Sequence, residues 1–133
     1  MKKEEINSIV KGLNLPTGKY ALFGSVPMAM RGIRECHDID IILSDDLWQQ
    51  YFNDETWRKE KKPSGKVCLV KDKIELMNYW FPGEWDIDRL IKEAEIINEA
   101  VCVRLEEVVK WKKIFNREKD RKDIKLIKQY NGN

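Results

Sequence analysis

Two aspartates one residue apart, Asp38 and Asp40, alternate with Ile39 and Ile41 in the run Asp38-Ile39-Asp40-Ile41. In a β-strand, side chains at i and i+2 share a face, so this spacing presents two carboxylates side by side while the isoleucines turn to a core. Charge so placed is costly to bury alone, and hard divalent cations take oxygen ligands of this kind. A third acid, Glu75, stands between Ile74 and Leu76, and its side chain opposes theirs on an expected strand. If that strand pairs with the 38–43 strand, Asp38, Asp40 and Glu75 share one face. Three carboxylates there would hold two magnesium ions ~3.5–4 Å apart, one activating an attacking hydroxyl and the other holding a triphosphate and its leaving pyrophosphate.

Twelve residues separate the step Phe23-Gly24-Ser25 from Asp38. Gly24 lets the backbone approach a phosphate closely. The N–H groups that open a following helix point at anions, and Ser25 adds a hydroxyl. Each feature alone has a plainer reading: a helix cap, a strand edge with solvated acids, the polar face of a half-exposed strand. Their joint occurrence at this spacing singles out metal-and-phosphate chemistry.

The elements that must carry these residues follow from periodicity. Ile6, Ile9, Val10 and Leu13 predict a helix over ~4–13. Residues 20–23 predict a buried strand ending at Gly24, and Ser25 then reads as the N-cap of a short helix, with Pro27 in its first turn, stopping near Gly32. Asp38 to Leu43 is the second strand, and Ser44-Asp45-Asp46 caps a third helix. Strands are expected over 56–61, 66–70 and 74–77, with turns at 63–65 and 71–73. Ile87, Leu90, Ile91, Ala94 and Ile97 predict a helix over ~86–97, followed by a strand at 100–103 and helices over 105–115 and ~119–130. Helices mixed with strand hairpins predict an α/β (α+β) fold, a mixed sheet packed by helices, with two C-terminal helices, in a single domain over 1–133.

Bulk composition narrows the classes. With 42% hydrophobic and 36% charged residues, the 133-residue chain reads as a soluble globular domain with one real core. A net charge of +2 argues against a nucleic-acid or membrane binder. No apolar run nears the ~20 residues that span a bilayer. Cys36, Cys68 and Cys102 are odd in number and lack metal-site spacing, so they read as buried free thiols in a reducing, cytoplasmic setting. Lysines and arginines crowd the last two helices with Glu118, Asp120 and Asp123 among them. This reads as a solvated, ion-paired surface with a few inward members, Lys112 first. Trp80-Phe81-Pro82-Gly83 follows the Glu75 strand and offers an aromatic wall for a sugar or base.

These residues resemble the nucleotidyltransferase superfamily related to DNA polymerase beta. Its motif is an apolar residue, Gly, then Gly or Ser, about a dozen residues, Asp-apolar-Asp/Glu-apolar, and a third acid on a later strand. Phe23-Gly24-Ser25, Asp38-Ile39-Asp40-Ile41 and Glu75 within Lys73-Ile74-Glu75-Leu76-Met77 meet it. Arg31-Gly32-Ile33-Arg34 is similar to small bacterial members, antibiotic nucleotidyltransferases among them, and so is the end of the chain from Leu105 through Lys112 to Asp123-Ile124. The resemblance implies that Asp38 and Asp40 are metal ligands, that Glu75 is a ligand or a general base, that Gly24 and Ser25 hold the triphosphate, and that Lys112 reaches it from the C-terminal helices. Glu75 departs from the more frequent Asp by one methylene. His37 stands where a small polar residue is common, and strand alternation aims it away from the Asp38 face.

The expected activity is magnesium-dependent transfer of a nucleoside monophosphate from a nucleoside triphosphate such as ATP to an acceptor hydroxyl, with release of pyrophosphate. The acceptor would be a small molecule, such as an antibiotic, or a protein side chain. A chain holding little beyond the catalytic module would complete its acceptor site with a second copy or a partner protein. The competing reading is a non-catalytic module of the same fold that binds nucleotide or a protein, for instance a toxin–antitoxin partner.

Overall fold

The computed structural model describes residues 1–132. Its backbone runs α1 (Lys3–Leu13), β1 (Tyr20–Phe23), α2 (Val26–Met30), β2 (Ile39–Leu43), α3 (Asp45–Phe52), β3 (Arg58–Lys61), β4 (Val67–Lys71), β5 (Ile74–Met77), α4 (Ile87–Lys92), β6 (Glu95–Ile97), β7 (Ala100–Cys102), α5 (Leu105–Phe115) and α6 (Glu118–Asn131). The described strands form one mixed sheet in the order β3-β4-β5-β2-β1-β7-β6. The β2/β5 and β1/β7 pairs are parallel and the others antiparallel. The fold is mixed α+β, with two C-terminal helices.

Alternation along the central strands gives each face of the sheet its own core. Leu22, Ile39, Ile41, Leu43 and Leu76 pack with Ile6, Val10, Leu47 and Trp48 from α1 and α3. On the other face Phe23, Ile42, Val70 and Met77 pack with Leu90 of α4, Val108 and Trp111 of α5, and Ile127 of α6. Asp40 and Glu75 alternate with Ile41 and Leu76, so they stand on this second face, at the margin of its core. All three cysteines are buried and free. No helix among the described residues is long and apolar enough to cross a membrane.

The helix predicted over 86–97 is a correction. It ends at Lys92, and Glu95–Ile97 form the edge strand β6. Asp86 caps the helix start, its side chain accepting the Arg89 N–H at 3.1 Å. What the helical spacing of Ala94 and Ile97 hides is the turn behind them: Asn98 and Glu99 both take positive φ, 49° and 74°. That pair of left-handed residues is what a two-residue hairpin with the twist of its strands requires, and it returns the chain antiparallel onto β7. Asn98 is pinned from both sides, donating to the Met30 carbonyl at 2.7 Å and accepting at its own carbonyl from Asn7 at 2.6 Å.

Candidate active site

Register brings two of the acids together. In the parallel β2/β5 pair Asp40 is the partner of Glu75, so both side chains leave the same face, close enough for the Glu75 charge to act on the Asp40 carboxyl. On the other side of β2, Asp40 is the partner of Phe23, which delivers Gly24 to the same spot. A Cβ at Gly24 would clash with the Asp40 Oδ2 and lie 3.2 Å from its Cγ, and Gly24 has φ +65°. The glycine is thus required twice, for its backbone conformation and for the close passage of the chain over Asp40. Gly24→Ala is expected to cost about 1–3 kcal/mol in folding stability and to push the Asp40 carboxyl off its position. Thermal melts and activity measured on the same variant would check both.

Asp38 lies in the bend before β2, where the sequence predicted strand, and it is exposed. It lines the same cavity as Asp40 and Glu75. The bend also overturns the expectation for His37: strand alternation does not act there, and His37 is exposed and lines this cavity too. Among the described residues no three His, Cys, Asp or Glu side chains are already gathered as an ion-holding group; the gathered pair is Asp40 and Glu75.

The electrostatics of that pair are those of a site short of positive charge. Burial, and then the neighbouring charges of Glu75 and Asp38, push the Asp40 carboxyl up from 3.8 to about 8. By itself the protein keeps a proton on Asp40 at neutral pH; a divalent cation among the oxygens would replace it. The residues therefore fit such an ion in donor type and in charge. An acid whose folded pKa is raised destabilises the fold as pH rises between its unfolded and folded values. The contribution of Asp40 to metal-free stability is expected to fall from about pH 4 to about pH 8. Magnesium should restore it at the alkaline end, and melting temperature against pH with and without the ion would check this.

The cavity over these acids encloses about 1060 Å³. Basic side chains line it as well. Arg34 donates from Nη2 to the Ser25 hydroxyl at 2.8 Å, and from Nε and Nη2 to Asp123 at 2.7 and 2.8 Å. Asp123 also accepts from Lys112 Nζ at 2.8 Å, and Lys112 lies 3.7 Å from Asp120. Asp120 in turn accepts from the Arg117 side chain at 2.7 Å. Three cations and two carboxylates are thus strung from Ser25 across α5 and α6. The network carries one surplus positive charge, and Arg34, Lys112 and Arg117 all border the cavity. Burial pushes the Asp123 carboxyl up, but the bonds from Arg34 and Lys112 outweigh it and hold the group below the usual carboxylate range. One wall is aromatic: Trp80 stacks on Phe23 with ring centroids 4.3 Å apart and meets Trp111 edge-on at 5.0 Å, while Phe81 stands 60% exposed beside them.

No family model, no curated protein and no solved structure matches this chain. The resemblance to nucleotidyltransferases accordingly rests on the motif residues.

Two of the expected residues are already engaged by other groups of the protein. Lys112 is 2% exposed and its ammonium pairs with Asp120 and Asp123, a pairing that braces α5 against α6 at the border of the cavity. The acids that hold it, read from sequence as part of a solvated surface, are 0% and 4% exposed. Ser25 has helical dihedrals and makes no side-chain cap bond. Its backbone carbonyl accepts from Met28 and Ala29, and its hydroxyl is held by Arg34. The helix it begins is five residues long with proline in its first turn, which removes one of the N–H donors expected there. Two cavity residues escaped the sequence reading. Arg34 carries a usable signal, an arginine four residues before an acid pair. Lys62, 3.6 Å from Glu75, left none, because its position depends on how the β3–β4 hairpin lies against β5.

Proposed function

We propose that this chain is a magnesium-dependent nucleotidyltransferase acting on a nucleoside triphosphate and an acceptor hydroxyl. One observation carries the reading: the register pairs Asp40 with Glu75 and lays the Gly24 backbone against Asp40, in a cavity that Arg34, Lys62, Lys112 and Arg117 also line. Acidic and basic side chains lining one cleft suit a metal-chelated phosphate tail better than either a bare anion or a free cation. The aromatic wall suits a planar base or an acceptor ring.

In this reading Asp38 and Asp40 hold the ion, while Ser25 and Arg34 hold the tail. A bound magnesium ion supplies Lewis-acid stabilisation of charge on the reacting phosphate and the departing pyrophosphate. The acceptor oxygen forms a bond to the α-phosphorus as the bond to the pyrophosphate oxygen breaks. The hydroxyl proton passes to the Glu75 carboxylate, which lies beside Asp40 on the next strand. Holding the reacting groups in line provides most of the acceleration. Three buried free thiols fit a reducing, cytoplasmic setting.

The test is transfer of label from α-labelled nucleoside triphosphates to a panel of hydroxyl-bearing small molecules and proteins, with pyrophosphate followed in parallel. Label transfer and pyrophosphate release that both require magnesium support the reading. Nucleotide bound firmly and returned intact with every acceptor would favour the non-catalytic binding module.

A further inference from the structure

The acidic cluster carries a cation of its own. Lys62 follows β3 in the turn to β4, and its backbone is fixed there: its N–H donates to the Lys66 carbonyl at 2.8 Å and its carbonyl accepts from Gly65 at 2.9 Å. The side chain is only a third exposed, with Nζ 2.9 Å from Glu60 Oε1 and 3.6 Å from Glu75 Oε1. The same Glu75 oxygen faces the Cys68 thiol at 3.6 Å. One oxygen of Glu75 is therefore taken by groups of the protein itself, while among the described residues neither Asp40 nor Asp38 makes an ion pair: Asp40 is the strand partner of Glu75, also an acid, and Asp38 is exposed.

From this arrangement, and resting on the nucleotidyltransferase reading, we infer that Lys62 stands in for a second metal ion, so that the nucleotide-free protein takes a single divalent cation at Asp38 and Asp40. The charges agree. Asp38, Asp40, Glu75 and Glu60 are balanced by one divalent ion, the Lys62 ammonium and Arg58, which lies 3.3 Å from Glu60, whereas a second divalent ion would have to displace Lys62 from Glu75 or sit against its charge at close range. Glu60 anchors the ammonium from its outer side and keeps it over Glu75. This replaces the two-ion expectation drawn from the acids alone: the sequence shows three carboxylates, but not the lysine that the hairpin folds onto one of them.

The test is manganese binding to the nucleotide-free protein at pH 8, read from the electron paramagnetic resonance signal of free Mn²⁺, for the wild type, Lys62→Gln, Lys62→Arg and Asp40→Asn. Thermal melts would check that each variant folds. The expected result is one ion per chain for the wild type and Lys62→Arg, two for Lys62→Gln, and none for Asp40→Asn. Two ions on the wild type, or one on Lys62→Gln, would overturn the role of Lys62 while the loss in Asp40→Asn left the metal site standing. No manganese on the wild type, or binding indifferent to Asp40→Asn, would overturn the nucleotidyltransferase reading and the inference with it.

Discussion

Replacing Asp40 by Asn is expected to abolish magnesium-dependent pyrophosphate release, by a thousandfold or more on the order of what a lost metal ligand costs, and at the same time to make the metal-free protein more stable. The two effects have one cause. Asp40 lies half-buried beside Glu75 with Asp38 nearby, and its carboxyl is pushed up to about 8. The amide keeps the shape but carries no charge to desolvate. At pH 8 and without magnesium, the variant should melt a few degrees higher than the wild type, roughly the shift that one to two kcal/mol produces in a domain of this size. Near pH 5, where the wild-type carboxyl is already protonated, the difference should shrink. A merely structural aspartate would give the opposite sign: lower stability in the variant. Loss of activity together with a gain in stability would mark Asp40 as a residue kept for function at the expense of the fold.

The second large effect concerns Lys112. Lys112→Met removes the ammonium between Asp120 and Asp123, which are both buried. Taking one partner from a buried charge network typically costs about 3–5 kcal/mol. The lower end is expected here, because Arg117 still serves Asp120 and Arg34 still serves Asp123. In a chain of this length that should lower the melting temperature by roughly 10 °C. Nucleotide affinity, measured well below the variant's melting point, should change by less than about threefold, a fraction of a kcal/mol. A large loss of affinity with little loss of stability would return Lys112 to the triphosphate and refute the bracing role.

Much of the architecture could be read from pattern. Strands β1, β2 and β5 are short apolar runs, and helices α1, α5 and α6 repeat their apolar residues at helical spacing, so periodicity found them. The convergence of Asp40 with Glu75 was also legible, because a buried carboxylate between apolar neighbours restricts where its strand can lie. What stayed hidden depends on long-range placement. The β6–β7 hairpin turns on Asn98 and Glu99 in left-handed conformations, and glutamate is not a residue that advertises one. Asp120 and Asp123, one helical turn apart among lysines, look like surface acids until α6 is laid on α5. Lys62 and Glu75 are brought together by a hairpin whose packing on β5 no local spacing encodes. His37 escaped for a different reason: one residue of difference in where β2 starts cancels the alternation from which its direction was inferred.

The account depends above all on a divalent ion meeting a phosphate tail beside Gly24 and Asp40. A crystal structure with manganese and a non-hydrolysable nucleoside triphosphate analogue tests this most directly, through the anomalous signal of the metal. The predicted result is a peak coordinated by Asp38 and Asp40, with the phosphates over Gly24 and within reach of Ser25 and Arg34. Phosphates bound elsewhere on the chain, or manganese that leaves Asp38 and Asp40 without a ligand bond, would contradict it.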